Sequence, residues 1–251
     1  MKLLRDTWLV FGQQVRNSLR SPIWLIMGVF QPVFYLVLFA PLLKQALGTP
    51  DTERAYRFFI PGTLVMLAIF ATSFVGFGLL GELRAGVIER ARVTPVSRLA
   101  LLLGRSLRDV AGLLAQCAII VALAVPFGLS ASVPGVLVTF LLLGLIATTL
   151  SSLSYRIALG LRSEDALSSI VNFVAQPAIL LGGILLPMTY GPGWLRGMAR
   201  VNPVTWTVDA GRAAFNGDLG DPSVWTATVL LAVLAALSVT WAARAFARGV
   251  R

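Results

Sequence analysis

The chain has no histidine, one cysteine and only two lysines in 251 residues, and charged side chains make up just 13% of it. Each scarcity excludes something. Without histidine, the commonest general base and metal ligand is missing. Cys117 stands alone, so no internal disulfide can form. Lys2 and Lys44 are the only lysines and neither follows a glycine, so the phosphate-cradling pattern G-x-x-x-x-G-K-[ST] is absent and the chain has no ATP-hydrolysing motif of its own. No H-E-x-x-H, nucleophile elbow or carboxylate pair lies inside an apolar run, which argues against catalysis within a membrane. A soluble domain carries roughly a quarter charged residues. With 57% hydrophobic residues and a mean hydropathy of +0.83, this chain has too little polar surface to be one.

What the sequence does have is long apolar runs. A spanning helix needs roughly 20 mainly apolar residues, and six segments qualify: 23–43, 60–81, 110–129, 133–154, 167–188 and 224–243. The expectation is an all-α integral membrane fold, one transmembrane domain over 1–251 with six transmembrane helices. Within those six cores there is no Asp, Glu, Lys or Arg. Ion-coupled transporters usually bury such groups for function, so any energy source is expected to lie outside the chain.

Charge sits between the runs. With six spans both ends share a side, and that side holds fifteen basic and six acidic residues against six basic and five acidic on the other, net +9 against +1. The positive-inside rule then places both termini and the 82–109 loop in the cytoplasm. The same distribution argues against a nucleic-acid partner, although the whole chain is +10. Residues 1–22 lack the uninterrupted apolar core of a signal peptide. They are predicted to form an amphipathic interfacial helix, with Leu4, Trp8, Phe11, Val15 and Leu19 on one face and Arg5, Gln13, Arg16 and Arg20 on the other, ended by Pro22.

Two connections stand out. Residues 189–223 are too apolar for a free loop, with Trp194, Leu195, Met198, Val201, Trp206 and Phe215, yet too broken by Gly191, Pro192, Gly193 and Pro203 to span. Short helices dipping into the outer leaflet as a re-entrant segment fit best. The 82–98 segment carries Arg84, Glu89, Arg90, Arg92, Thr94, Pro95, Ser97 and Arg98. Thr94 and Pro95 make an N-cap and first-turn pair, so a charged helical piece bracketed by Gly86 and Pro95 is expected across the membrane face. Arg105 and Asp109, four apart, are expected to pair at the foot of span three.

The run Glu89-Arg90 through Thr94-Pro95-Val96-Ser97-Arg98 and on to Leu103-Gly104-Arg105-Ser106-Leu107 resembles the coupling region of type-2 ATP-binding-cassette permeases, the class of daunorubicin-resistance-like exporters. Gly182-Gly183, Pro187-Met188, Pro192-x-Trp194-Leu195, Asn202-Pro203-Val204-Thr205 and Asp209-Ala210-x-Arg212 are similar to that family from span five through the outer segment. The resemblance implies a non-catalytic subunit of an exporter in a bacterial cell membrane. It also implies two permease copies, identical or paralogous, each docked through the 82–98 loop on a separate nucleotide-binding ATPase that holds ATP and Mg. This chain is expected to bind no cofactor itself.

By the same resemblance spans two and five line the path. Phe70, Ser73 and Phe74, with Met66, Thr72 and Phe77, come from span two, and Asn172 and Gln176, with Phe173, come from span five. An apolar, aromatic wall with few polar groups suits an amphipathic drug, antibiotic or lipid. In span four, Gly144, Thr148 and Ser152 form a small-residue stripe expected to mark close helix packing. The competing expectation is a stand-alone channel that needs no ATPase.

Overall fold

The computed structural model of the chain describes residues 2–20, 28–30, 32–34, 37–38, 52–85, 98–184 and 187–248. Among the described residues the structure is helical with no strand. In chain order the helices are α1 (Lys2–Leu19), α2 (Thr52–Ser73), α3 (Gly76–Arg84), α4 (Arg98–Ala124), α5 (Val133–Leu161), α6 (Glu164–Leu181), α7 (Gly193–Arg200), α8 (Pro203–Phe215) and α9 (Pro222–Arg248). Among the described residues four stretches are long and apolar enough to cross a bilayer: Glu53–Arg84, Leu99–Phe127, Val133–Leu161 and Pro222–Phe246. The predicted span 23–43 lies largely outside the described residues; its described members are helical, and the Phe30 and Phe34 rings stack at 5.7 Å.

The helices outrun the apolar segments that foretold them. α5 continues seven residues past 154 to Leu161, and α4 begins at Arg98 rather than near 110. Hydrophobicity marks only the lipid-immersed part of a helix, while hydrogen bonding carries the helix on into polar surroundings. α6 behaves differently. It starts at Glu164, behind a Ser163 cap that accepts the Ala166 amide, and stops at Leu181, short of the predicted 188. Glu164, Asp165, Asn172 and Gln176 dilute its apolar content below that of the four long stretches.

α5 is the central post, packing against α2, α4, α8 and α9. Apolar attraction between helices is weak where lipid is as oily as leucine, so close packing has to hold the bundle. The tightest approach is at Gly135, where a Cβ would stand 2.1 Å from the Ala214 carbonyl oxygen of α8. The predicted stripe is not that seam. A Cβ on Gly144 would meet only Val110 Cγ1 at 3.7 Å, and Thr148 donates to the Gly144 carbonyl of its own helix.

Residues 189–223 fold into α7 and α8, and α8 is buried, with Thr207, Val208, Ala210 and Ala214 at 0% exposure. Asn202 caps it by accepting the Val204 amide, and Pro203 fills the first helical turn. α1 lies along the start of α4, and it docks by an unexpected face. Thr7 and Val10 are buried against Gly104, whereas Leu4, Trp8 and Leu19 of the predicted apolar stripe remain outward at about 70% exposure.

Candidate functional site

The end of the bundle from which residues 86–97 depart carries most of the buried charge. Arg105 of α4 pairs with Glu82 of α3, Arg108 reaches Asp109 at 3.0 Å, and the Tyr155 hydroxyl of α5 donates to Asp109. Arg84 meets Glu164 of α6 at 2.7 Å on the surface. Arg105 and Asp109 are therefore not partners of one another, as their spacing had predicted. Each is drawn to a neighbouring element, because a buried charge needs an opposite one and hydrogen bonds around it. The helix extension also puts Arg105, Arg108 and Asp109 inside a stretch long enough to span, so ionisable groups do enter a spanning helix, but as pairs near its end. This platform joins α3, α4, α5 and α6.

One turn deeper the Glu53–Arg84 stretch is interrupted. α2 ends at Ser73 and α3 begins at Gly76, with Phe77 and Gly78 amides bonding back only three residues to Phe74 and Val75. Ser154 of α5 closes the gap: its hydroxyl donates to the Ser73 carbonyl at 2.6 Å and accepts the Gly76 amide at 3.0 Å. Gly76 is required there, since a Cβ would fall 2.8 Å from the Ser154 carbonyl oxygen. A break stapled by one side chain gives this helix a place to bend between the core and the departing loop.

Beside the break is an apolar groove of about 100 Å³ between α2, α5 and α6, walled by Ile69, Leu153, Ile157, Val171 and Val174. Among the predicted path residues Ser73 lines it. Phe70 and Phe74 are half-buried outside the groove lining, and Phe74 stacks on Phe77 at 5.8 Å. Asn172 and Gln176 lie exposed on the outward face of α6 beside Phe173, which is 81% exposed; Asn172 donates to its own Ser168 carbonyl at 2.9 Å. The α5 wall, Leu153, Ser154 and Ile157, was missed by sequence reasoning. The run of serines from Ser151 to Ser154 was the available signal, since hydroxyls in a span must bond to some backbone.

At the opposite end Arg212 of α8 gathers three carbonyls, Phe58 at 3.1 Å, Gly183 at 2.8 Å and Ile184 at 3.0 Å, with the Phe58 ring 3.8 Å from its guanidinium carbon. Burial pulls this guanidinium down to about 10, with Asp209 opposing the shift, so it stays charged at neutral pH. Asn202 and Thr205 donate to the Ala178 and Leu181 carbonyls of α6. The Asn202-to-Arg212 motif singled out in the sequence is thus a clamp on the end of α6.

Of the predicted coupling residues, Arg84 and Arg98 are placed, at the end of α3 and the start of α4. Glu89, Arg90, Arg92, Thr94, Pro95 and Ser97 lie outside the described residues. Among the described residues no group of three or more His, Cys, Asp or Glu could hold a metal ion.

Comparison with known proteins agrees with this architecture. The family model described as ABC-2 type transporter matches residues 5–216. The daunorubicin resistance ABC transporter permease protein DrrB1 of Streptomyces coeruleorubidus is 26% identical over 223 residues, covering 88% of this chain and 77% of that protein. The "Putative transport permease ycf38" of Cyanophora paradoxa is 27% identical over 194 residues, covering 76% of this chain and 67% of that protein. Its counterpart in Pyropia yezoensis is 24% identical over 218 residues, covering 85% and 75%. An all-helical chain with several membrane-length apolar helices, matched by the family model over most of its length, belongs to the ABC-2 type transporter family as a membrane permease.

Proposed function

We propose that this chain is the membrane-spanning half of an ATP-driven exporter, carrying an amphipathic drug, antibiotic or lipid outward through six spans in a bacterial cell membrane. ATP and Mg sit on a separate ATPase, which grips the 82–98 loop. Both termini lie in the cytoplasm, α7 and α8 form the re-entrant outer segment, and α1 rests in the interface with its apolar stripe in lipid. The chain itself performs no catalysis and holds no cofactor.

The observation that carries the proposal is the stapled break between α2 and α3. α3 ends at Arg84, immediately before the loop, and is tied by Glu82 and Arg84 to α4 and α6. Closure of an ATPase dimer beneath the loop would move α3 and the platform as a unit and bend the helix at Ser73–Gly76, next to the apolar groove. The outward face of α6, with Asn172, Phe173 and Gln176, would meet a second permease copy, identical or paralogous, so that the path is completed between the two subunits.

The test is reconstitution with the ATPase encoded for the same system. Charge reversal at Glu89, Arg90 and Arg92 is expected to cut ATP-dependent transport at least about tenfold, the effect of losing roughly 1.4 kcal/mol of coupling, while the permease keeps its fold. Unaltered transport and ATPase stimulation in that variant would remove the coupling assignment. Uphill transport by the permease alone would remove the exporter reading in favour of an autonomous carrier, and conductance without nucleotide would favour a channel.

A further inference from the structure

α9 presents one uninterrupted outward stripe, Trp225, Val229, Val233, Leu237 and Trp241, each at least half exposed and four residues from the next. At 3.6 residues per turn each step of four drifts by about 40°, so this exposed stripe winds around α9 as it climbs, and tryptophans at both ends of an apolar stripe are the usual marks of the two membrane–water interfaces. Trp241 therefore lies at headgroup level. Its ring forms part of the wall of a groove of about 390 Å³ between α5 and α9. Below it, toward the bilayer centre, the walls are Leu153, Leu234 and Leu237; above it stands Arg244. Arg156 of α5 lies over the Trp241 ring, 4.9 Å from its centre.

These two arginines are unlike the others near this end of the bundle. Arg84, Arg105 and Arg108 each have a carboxylate. Among the described residues neither Arg156 nor Arg244 has an acidic partner, and the buried Nε of Arg156 has no hydrogen-bond partner at all. The hydroxyls of Ser238 and Thr240 spend their protons on carbonyls of their own helix, Ala235 at 3.0 Å and Leu237 at 2.9 Å. The donors left free at the groove mouth are thus the two guanidiniums and the Trp241 indole N–H, and guanidinium is the side chain best matched to phosphate oxygens. A stacked guanidinium is also held in place by the ring, so less of its motion is lost when an anion arrives.

We infer that the α5–α9 groove binds one anionic phospholipid, its phosphate held by Arg156 and Arg244 beside Trp241 and an acyl chain laid along Leu153, Leu234 and Leu237. Basic pockets between spans at headgroup depth take anionic headgroups for this reason. The site lies next to the Ser73 groove, the two sharing Leu153 of α5 as a wall, and the inference needs only that the chain sits in a bilayer. It stands whether or not the exporter reading does. On the proposed orientation the lipid belongs to the cytoplasmic leaflet.

The full chain, exchanged into nanodiscs of phosphatidylglycerol and phosphatidylcholine and ejected into a native mass spectrometer, should retain one phosphatidylglycerol with a preference of roughly 30-fold, as two surface guanidiniums imply. Arg156→Gln with Arg244→Gln should bring that preference close to parity. Leu237→Trp, which fills the groove and leaves both arginines, should reduce retention of either lipid, and it carries the test alone if the double variant does not fold. Excess soluble glycerol phosphate should leave the lipid bound. No preference in the wild type, undiminished preference in the double variant, undiminished retention in Leu237→Trp, or displacement by glycerol phosphate would each overturn the inference.

Discussion

Two side chains hold this molecule at points where its helices cannot satisfy themselves. Ser154 covers an amide and a carbonyl freed by the break at Ser73–Gly76. In a bilayer no water replaces it, so Ser154→Ala strands both groups and is expected to cost about 2 kcal/mol, the usual penalty of buried unpaired polar groups. Thermal unfolding in detergent reads that loss, and Ser154→Thr should restore most of it, having the same hydroxyl. Arg212 is the larger case. It serves three carbonyls and an aromatic face, so Arg212→Ala is expected to destabilise the chain by about 3 kcal/mol. Arg212→Lys should recover less than half, because an ammonium on a flexible stem cannot reproduce a planar fork reaching Phe58, Gly183 and Ile184 together. Equal stability of Lys and Arg at this position would mean that charge, not the fork, is what matters.

Between elements, the contact that admits least change is α5 against α8. The atom facing Gly135 is the Ala214 carbonyl oxygen, which belongs to the backbone and cannot rotate away. Gly135→Ala should therefore push α8 outward and cost about 2 kcal/mol, in the range of overpacked cores; a melting point within a degree of wild type would show that the helices slide apart freely. Gly144→Ala, by contrast, should be nearly neutral, since its Cβ would rest at ordinary contact distance from Val110. The pair separates two glycines that look alike in sequence. α1 makes the same point by another route: its exposed Leu4, Trp8 and Leu19 satisfy the amphipathic pattern, but the seam that meets α4 is Thr7 and Val10 opposite Gly104. The apolar stripe read from periodicity is left exposed at Leu4, Trp8 and Leu19, and a different face of α1 makes the seam.

For the whole molecule, the tryptophan ends of the α9 stripe set a thickness. Sixteen residues from Trp225 to Trp241 rise about 24 Å at 1.5 Å each, somewhat less than the hydrocarbon core of an average bilayer. The chain should be most stable in phosphatidylcholines of shorter acyl length and lose stability steadily as chains lengthen, by fractions of a kcal/mol per Å of mismatch. Denaturation in a lipid series checks this, and an optimum in the longest chains would contradict the assignment of both tryptophans to interfaces.

How much of this was legible follows from the range of each interaction. Hydrophobicity is carried by every residue along a run, so the membrane class, four long apolar helices and the family resemblance could be read from sequence. Arg105 and Asp109 could not be paired correctly, because four-residue spacing competes with partners from other helices that spacing cannot see: Glu82 is 23 residues away and Tyr155 is 46. Ser73 reaches the groove, while the α5 wall facing it depends on how α5 is rotated against α2. By itself the sequence determined what must avoid water and where charge must gather, since those follow from transfer free energies summed over neighbouring residues. Only the tertiary structure decided which polar group meets which, because in a close-packed bundle a partner is set by the geometry of helix crossings between residues far apart in the chain.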